Sequence, residues 1–528
     1  MYLAMDMGTS NTRVWLCNKS NVIDSKRECF GAKSGKLDGK PILFERVKRL
    51  ILEILHANHL SESDVECIIT SGMCGSEIGL CEVPHVELPQ NIYTEAQKLC
   101  VRVIPEITEI PFWFVPGLKK VLDGSVADLM RGEETELFGL LPHFLHKASP
   151  AVIVLPGTHN KMIRVNEHGE ITDFKTTFSG EMLDMIVTKS ILAGSVSHEF
   201  EISEADVLQG AAYAEVHGIN AAVFHVRVME KNGTPKDALS SFLYGAIIGE
   251  DAKIIRRYAG NDPVFIGGNP RLQAVHRILL KNISAVPLNP EVTGRAVVSG
   301  LQRIHSLYRA RMQSDRIRQA IEKEKLIAII RNPERDTLIE AVRALYDGGV
   351  RLVEVTFDRS GKLSRAEVCG MISELTEAFG EDMMIGAGTV TSCDEVRLAC
   401  EAGASFMISP NCDPEIIKLS KKLGTISIPA AYTPTEIAMA LNSGADYIKL
   451  FPADGVTAEY VKAIRAPLSD AKLLAVGGVT DKNAKDFLRM GFSGVGVGSN
   501  LYDQKLIRAR DFESLKELAS KYVEAIKK

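Results

Sequence analysis

Lys449 sits inside the apolar run IKLFP, residues 448–452, and Glu354 inside LVEVT, residues 352–356. An ionisable side chain in such a run has two readings. It lies along the surface with its head in water, or it points into a dry pocket where its pKa moves and it does chemistry. A desolvated lysine amine attacks a ketone to form a Schiff base. The iminium then serves as an electron sink for breaking a carbon–carbon bond, and a nearby carboxylate shuttles protons. That chemistry needs no metal. A buried Lys–Glu ion pair is the structural alternative, yet desolvation offsets most of its attraction, so stability alone gives little reason to bury both.

A second set of residues points to phosphate. In DMGTSNTRVWL (6–16) a strand delivers Asp6 to a tight turn. Asp6 could organise Mg²⁺, while the backbone at Gly8 and the side chains of Thr9 and Asn11 face a phosphate. Alone, this is equally a plain hairpin turn. The pattern recurs in AVIVLPGTHNKMIRV (151–165), with Gly157 and Thr158 at its turn, and VFIGGNPRL (264–272) brings Gly267 and Gly268 to the end of a strand before a helix. The P-loop pattern GxxxxGK[ST] is absent. Phosphoryl transfer to a hydroxyl also needs a proton acceptor. ADLMRGEETELFG (127–139) offers Asp128, Glu133 and Glu134 at the start of a helix. Glu133 is the favoured base and Asp128 the second choice. At least one of the three carboxylates serves only to cap the helix and meet its dipole.

The elements that must position these residues change character near residue 310. Before it, strands, glycine turns and helices mix irregularly, with two similar hairpins about 150 residues apart, which suggests a duplicated fold. The ordered trio of turns fits the actin/hexokinase-like ATPase fold, with a nucleotide held between two related subdomains. After it come eight apolar runs: 326–330, 351–357, 383–390, 405–409, 425–430, 446–451, 473–478 and 494–498. Helical stretches ending in glycine separate them. That alternation predicts a (β/α)8 TIM barrel, with a doubly wound open sheet as the alternative. In a barrel Lys449 and Glu354 point inward from the sixth and second strands. Gly477 and Gly478 end the seventh strand, and Gly498 and Ser499 end the eighth, where barrels often bind phosphate. The segment 301–325 reads as two helices joined by a short linker, giving domains 1–312 and 313–528.

The bulk composition is ordinary for a globular chain: 528 residues, 45% hydrophobic, 24% charged, net charge −5. Without a long basic run, nucleic acid and anionic membranes are not the expected partners. The N-terminus reads as neither a signal peptide nor a membrane span. The 10 cysteines include no CxxC pair and read as reduced thiols of a cytoplasmic protein. His56/His59 and His143/His146 lack partners at zinc-site spacing.

Residues 320–505 resemble the 2-keto-3-deoxy-6-phosphogluconate and -galactonate aldolases, through AIIR, VEVTF, GAGTV, SPN, TPTE, KLFPA, AVGGV and GVGSNLY. The resemblance implies a class I aldolase, cofactor-free and usually trimeric, that yields pyruvate and glyceraldehyde 3-phosphate. It puts Lys449 at the Schiff-base position and Glu354 at the acid/base position. Arg331 and Thr389 fall on residues that hold the pyruvyl end, with Pro410 beside them. Gluconate-type members tend to carry arginine where this chain has Asp358, with Arg359 next to it. Val476 before the glycine pair matches the galactonate type.

Residues 1–300 are similar to the 2-dehydro-3-deoxygalactonokinases, through DMGTSNTRVWL, SGMCGSEIGL, VPGL, DLMRGEETELFG, LPGTHNKMI, TFSGEM and FLYGAIIGE. Met7 stands where that family commonly has tryptophan. The resemblance implies ATP, Mg²⁺ and a sugar acid, with Arg131 a candidate for the acid's carboxylate. The two resemblances imply consecutive steps, phosphorylation at O6 and then cleavage, and weight the sugar towards galactonate. A gluconate-type pair, or a sugar-sensing protein with only the aldolase active, are the alternatives.

Overall fold

The computed structural model describes residues 1–144, 150–380 and 382–527. The chain forms two compact units, Met1–Tyr308 and Arg309–Lys528. Among the described residues no helix is long and apolar enough to cross a membrane. His146, half of one histidine pair, lies outside the described residues.

In the first unit two hairpins share one pairing pattern. Strand Tyr2–Met7 pairs antiparallel with Thr12–Asn18 and parallel with Ile68–Gly72. Strand Ala151–Leu155 pairs antiparallel with Asn160–Val165 and parallel with Val264–Ile266. These central strands are apolar along nearly their whole length because both faces are covered. Each hairpin turn is gripped by a glycine that permits close backbone approach. A Cβ on Gly31 would lie 2.3 Å from Gly8 O, and one on Gly180 would lie 1.8 Å from Gly157 O. The helices that follow, Ala32–Leu37 and Ser179–Lys189, therefore start against the two turns.

Helix Glu133–Leu140 starts after Gly132, whose φ of +107° favours glycine. It crosses the long helix Pro290–Glu324 at a pair of glycines: a Cβ on Gly139 would lie 1.9 Å from Ala296 O, and one on Gly300 would lie 2.0 Å from Thr135 O. The two backbones are in contact there, which fixes the helix carrying Glu133. The long helix corrects the sequence reading of this segment. Pro290–Glu324 is one helix with no linker near residue 312. Residues 301–324 hold neither glycine nor proline, so nothing in them stops a helix.

The second unit is built on a nearly closed nine-strand parallel barrel. The eight apolar runs form strands at the expected places, from Leu326–Ile330 to Gly494–Val497. The ninth strand arises because the fifth run is split by Pro429 into Ile426–Ile428 and Ala430–Ala431. These pieces are the two ends of the sheet order, pairing with Phe406–Ile408 and Ile448–Leu450 respectively. The Lys449 amide donates to Pro429 O across the split (2.9 Å). The interior is filled by Ile327, Leu352, Phe406, Ile428, Tyr447 and Leu474, with Ile317 and Ile321 of the long helix packed against them. The alternate residues Val353, Val355, Ile448 and Leu450 belong to the outer core, between strands and surrounding helices.

Candidate active sites

That alternation decides where the barrel's ionisable groups point. Tyr447 and Leu352 fill the interior, so Lys449 and Glu354, two residues further along each strand, also point inward. Glu354 is 1% exposed and Lys449 8%. Burial pushes the Glu354 carboxyl above its ordinary value, with the Lys449 and Arg331 charges pulling against it. Burial also pulls the Lys449 amine down, opposed by Glu354 and assisted by Arg331. The Lys449 Nζ sits 5.0 Å from the centre of the Phe451 ring. Glu354 Oε2 is buried without a hydrogen-bond partner. A lysine with reduced basicity and a carboxyl with a free acceptor atom therefore face one interior, the requirement for amine attack and proton transfer.

The other barrel residues singled out in the sequence lie at or just after strand ends. Thr389 follows strand Met384–Gly388 at φ +56°, a left-handed conformation unusual for a β-branched residue. Arg331 follows the first strand and bears electrostatically on both central groups. Pro410 is exposed, just after strand Phe406–Ile408. Gly477 and Gly478 adopt φ of +97° and +74° after the seventh strand. Asn500 Nδ2, next to Gly498 and Ser499, donates to Val479 O at 2.9 Å, joining the two glycine loops. The sequence reading missed Asn500 because its partner lies in a different strand–helix unit.

In the first unit two cavities share one wall. One of about 480 Å³ is lined by Arg131, Glu133, Glu136 and Lys161. A larger one of about 1150 Å³ is lined by Asn11, Lys33, Asn269 and Arg271. Asp6, Gly8, Thr9, Gly157 and Thr158 line both. The two hairpin turns thus stand where one compartment meets the other. Gly267 and Gly268 are not in the lining. They back the second turn, since a Cβ on Gly268 would lie 2.7 Å from Pro156 O, and Asn269 takes the lining position.

Asp6 lies opposite Arg13 in the hairpin register, and the Arg13 guanidinium reaches its Oδ2 at 2.7 Å. Burial raises the Asp6 carboxyl, against the charge and hydrogen bond of Arg13. Glu133 Oε2 accepts from Arg131 N (3.1 Å), and burial raises this carboxyl too. Glu134 turns away from the cavity, its carboxylate accepting from Gly132 N at 2.8 Å, the capping role expected of one of the three. Glu136, missed in the sequence, shares the cavity with Glu133 from one turn further along the helix. Burial, with the Glu133 and Asp6 charges, raises it to about 7. Asp128 does not line either cavity. It sits on strand Ser125–Met130, where its carboxylate accepts from Thr176 N (2.8 Å) and Thr176 Oγ1 (2.7 Å). Arg131 Nη2 donates to Val83 O at 2.7 Å, beside the His85 ring.

Among the described residues no group of three metal-ligating side chains occurs. The residues present fit a different kind of site. Mg²⁺ is commonly held by one or two carboxylates plus substrate phosphates, and Asp6 lines both cavities at the turns.

Two family models match successive parts of the chain. The model described as 2-keto-3-deoxy-galactonokinase matches residues 6–304, and that described as KDPG and KHG aldolase matches residues 317–518. The chain belongs to both families. A 2-dehydro-3-deoxy-6-phosphogalactonate aldolase from Escherichia coli strain K12 is 34% identical over 181 residues, covering 34% of this chain and 85% of that protein. A 2-dehydro-3-deoxygalactonokinase from the same strain is 26% identical over 261 residues, 49% of this chain and 82% of that protein. A 2-dehydro-3-deoxy-phosphogluconate aldolase from Haemophilus influenzae is 27% identical over 217 residues, 40% of this chain and 98% of that protein. The kinase cavities fall inside the first match and the Lys449–Glu354 interior inside the second.

Proposed function

We propose that the chain is a bifunctional enzyme. It phosphorylates 2-dehydro-3-deoxy-D-galactonate at O6 with ATP, then cleaves the 6-phosphate to pyruvate and D-glyceraldehyde 3-phosphate. The observation that carries the second step is the inward pair of Lys449 and Glu354, each shifted by burial towards its uncharged form. The neutral amine of Lys449 attacks the C2 ketone, and loss of water gives the protonated Schiff base. Glu354 takes the proton of the C4 hydroxyl as the C3–C4 bond breaks, and its electrons pass into the iminium to form an enamine. Protonation at C3 and hydrolysis then release pyruvate. Arg331, Thr389 and Pro410 hold the pyruvyl end, and the loops carrying Gly477, Gly478, Gly498 and Ser499 hold the phosphate through backbone N–H groups.

For the first step, Glu133 is the base that takes the O6 proton, and Arg131 binds the acid's carboxylate. Gly8, Thr9, Asn11, Gly157 and Thr158 hold the ATP phosphates, with Gly267 and Gly268 backing the nucleotide side. Asp6 would hold Mg²⁺, which would supply charge neutralisation for the phosphates.

The finer architecture belongs to this reading: an actin/hexokinase-like ATPase for 1–312 and a (β/α)8 TIM barrel for 313–528. The paired hairpins and the eight strand positions support it. We further infer a cytoplasmic protein, from the free state of all its cysteines, and a trimer through the barrel. The test is an assay with ATP and either C4 epimer of the 2-keto-3-deoxy acid, following pyruvate. Turnover of the galacto epimer supports the reading. Preference for the gluco epimer would make it a gluconate-type pair, and cleavage without any ATP turnover would make the first unit a sensor.

A further inference from the structure

Asp358 and Arg359 depart from the gluconate-type pattern, and the structure gives them definite work. The Asp358 carboxylate accepts from the amides of Ser360 (2.8 Å), Lys362 (2.6 Å) and Leu363 (2.9 Å), so it closes the turn after the second strand. That turn aims Arg359 across to the third strand's end. Its Nη2 donates to Thr389 O at 2.7 Å, to Thr391 Oγ1 at 2.5 Å and to Glu395 Oε2 at 2.7 Å.

Glu395 is fully buried. Its Oε2 also accepts from Thr391 N (2.8 Å), and Arg365 Nε lies 3.1 Å from its Oε1. Burial alone would raise this carboxyl, but the Arg359 and Thr391 hydrogen bonds and both guanidinium charges outweigh it and hold it below its ordinary value. An ionised carboxylate thus anchors Arg359. The residue it holds, Thr389, has a left-handed backbone that is strained for a β-branched side chain and persists only where its surroundings over-determine it. Immediately before Thr389 is Gly388, whose bare backbone lies against the Glu354 carboxyl.

We propose that Arg359 is a positioning residue for aldol cleavage. Anchored on Glu395, it holds Thr389 in its left-handed conformation and with it the Gly388 surface on which Glu354 rests. This rests on the aldolase reading given above. Arg359 acts through the backbone and touches neither substrate nor Lys449.

The test uses the full chain carrying Arg359→Ala, Arg359→Lys or Arg359→Gln. Two quantities are read: KM for the phosphorylated keto acid, and the pyruvate concentration that half-saturates borohydride trapping on Lys449. Arg359→Ala should raise both about tenfold, the scale expected when a positioning contact is lost. Trapping should still go to completion at saturating pyruvate, which shows that the barrel is folded. Arg359→Lys should recover part of the loss, and phosphorylation by ATP should not change. If the alanine variant traps nothing at any concentration, the lysine and glutamine variants decide, and graded shifts in half-saturation support the proposal. Half-saturation and cleavage kinetics unchanged in all three variants would overturn it. Failure of the unaltered chain to trap pyruvate at all would instead remove the aldolase reading, and the proposal with it.

Discussion

Glu354 occupies the space that a side chain at position 388 would need: a Cβ on Gly388 would lie 1.6 Å from Glu354 Oε1. The glycine is therefore a condition for the carboxyl's position, beyond any role in strand geometry. Gly388→Ala should displace Glu354 and lower kcat/KM for cleavage by about 100-fold, as small misplacements of reacting groups do. Phosphorylation should be unaffected. A cleavage rate near that of the unaltered chain would show that Glu354 has room to work elsewhere.

Burial of the central pair also predicts a conflict between stability and activity. Lys449 is held below its ordinary 10.5, so between its folded value and 10.5 the unfolded chain binds more protons and stability rises with pH. The cost of burying Lys449 is in full force below that window. Glu354 is held above its ordinary 4.5, so stability falls as pH rises from 4.5 through its folded value, and its cost persists above that. Lys449→Met and Glu354→Gln should abolish or cripple cleavage yet raise the thermal unfolding midpoint of the second unit at neutral pH. Calorimetry showing lower midpoints for both would mean that the pair stabilises the fold as an ion pair.

In the first unit, Glu133→Gln should lower kcat for phosphorylation by about 10²–10⁴-fold, the range of general-base catalysis. Asp128→Asn should leave the rate near that of the unaltered chain, because Asp128 is occupied with Thr176. Burial raises Glu133, and a base must be ionised, so kcat/KM should fall as pH drops through that raised value. Equal losses from both substitutions would move the base assignment away from the cavity.

How much of this was legible in the sequence varies by feature, for physical reasons. The hairpin turns at Gly8–Thr9 and Gly157–Thr158 were readable because a Gly-Thr pair between apolar runs is a local signal. The inward direction of Lys449 and Glu354 followed from strand alternation once a barrel was assumed. The Asp6–Arg13 pair depends on hairpin register. The Arg359 clamp depends on residues 30–36 positions apart meeting across two strand–helix units. The preference for Glu133 over Asp128 rests on a helix start that is legible locally, whereas the contact that occupies Asp128 with Thr176 joins residues 48 positions apart. The unbroken helix Pro290–Glu324 is hidden because the sequence pattern changes within it although the backbone does not break.

That helix yields a further expectation. A fragment beginning at Ser314 keeps Ile317 and Ile321, which pack into the barrel interior, and it should fold and cleave the phosphorylated substrate. A fragment beginning at Lys325 lacks both and should be unstable, since removing large buried aliphatic side chains costs about 2–5 kcal/mol each. Soluble expression and cleavage assays compare the two. Equal behaviour would show that Ile317 and Ile321 are dispensable.

Chelation separates the two reactions. EDTA should stop phosphorylation, where Asp6 would hold Mg²⁺, and leave cleavage of supplied 6-phosphate unchanged, because the Lys449 iminium provides the electron sink. Asp6→Ala should reproduce this split without chelator. Loss of cleavage with EDTA would contradict the Schiff-base mechanism.

The central claim is that one chain performs two consecutive steps, and the most direct measurement is the stoichiometry of pyruvate and ADP formed from unphosphorylated 2-dehydro-3-deoxy-D-galactonate by the purified protein. The account predicts no pyruvate without ATP and, with ATP, one ADP for each pyruvate, with Lys449→Ala still forming ADP but no pyruvate. Pyruvate formed without ATP, or by the Lys449→Ala protein, would contradict it.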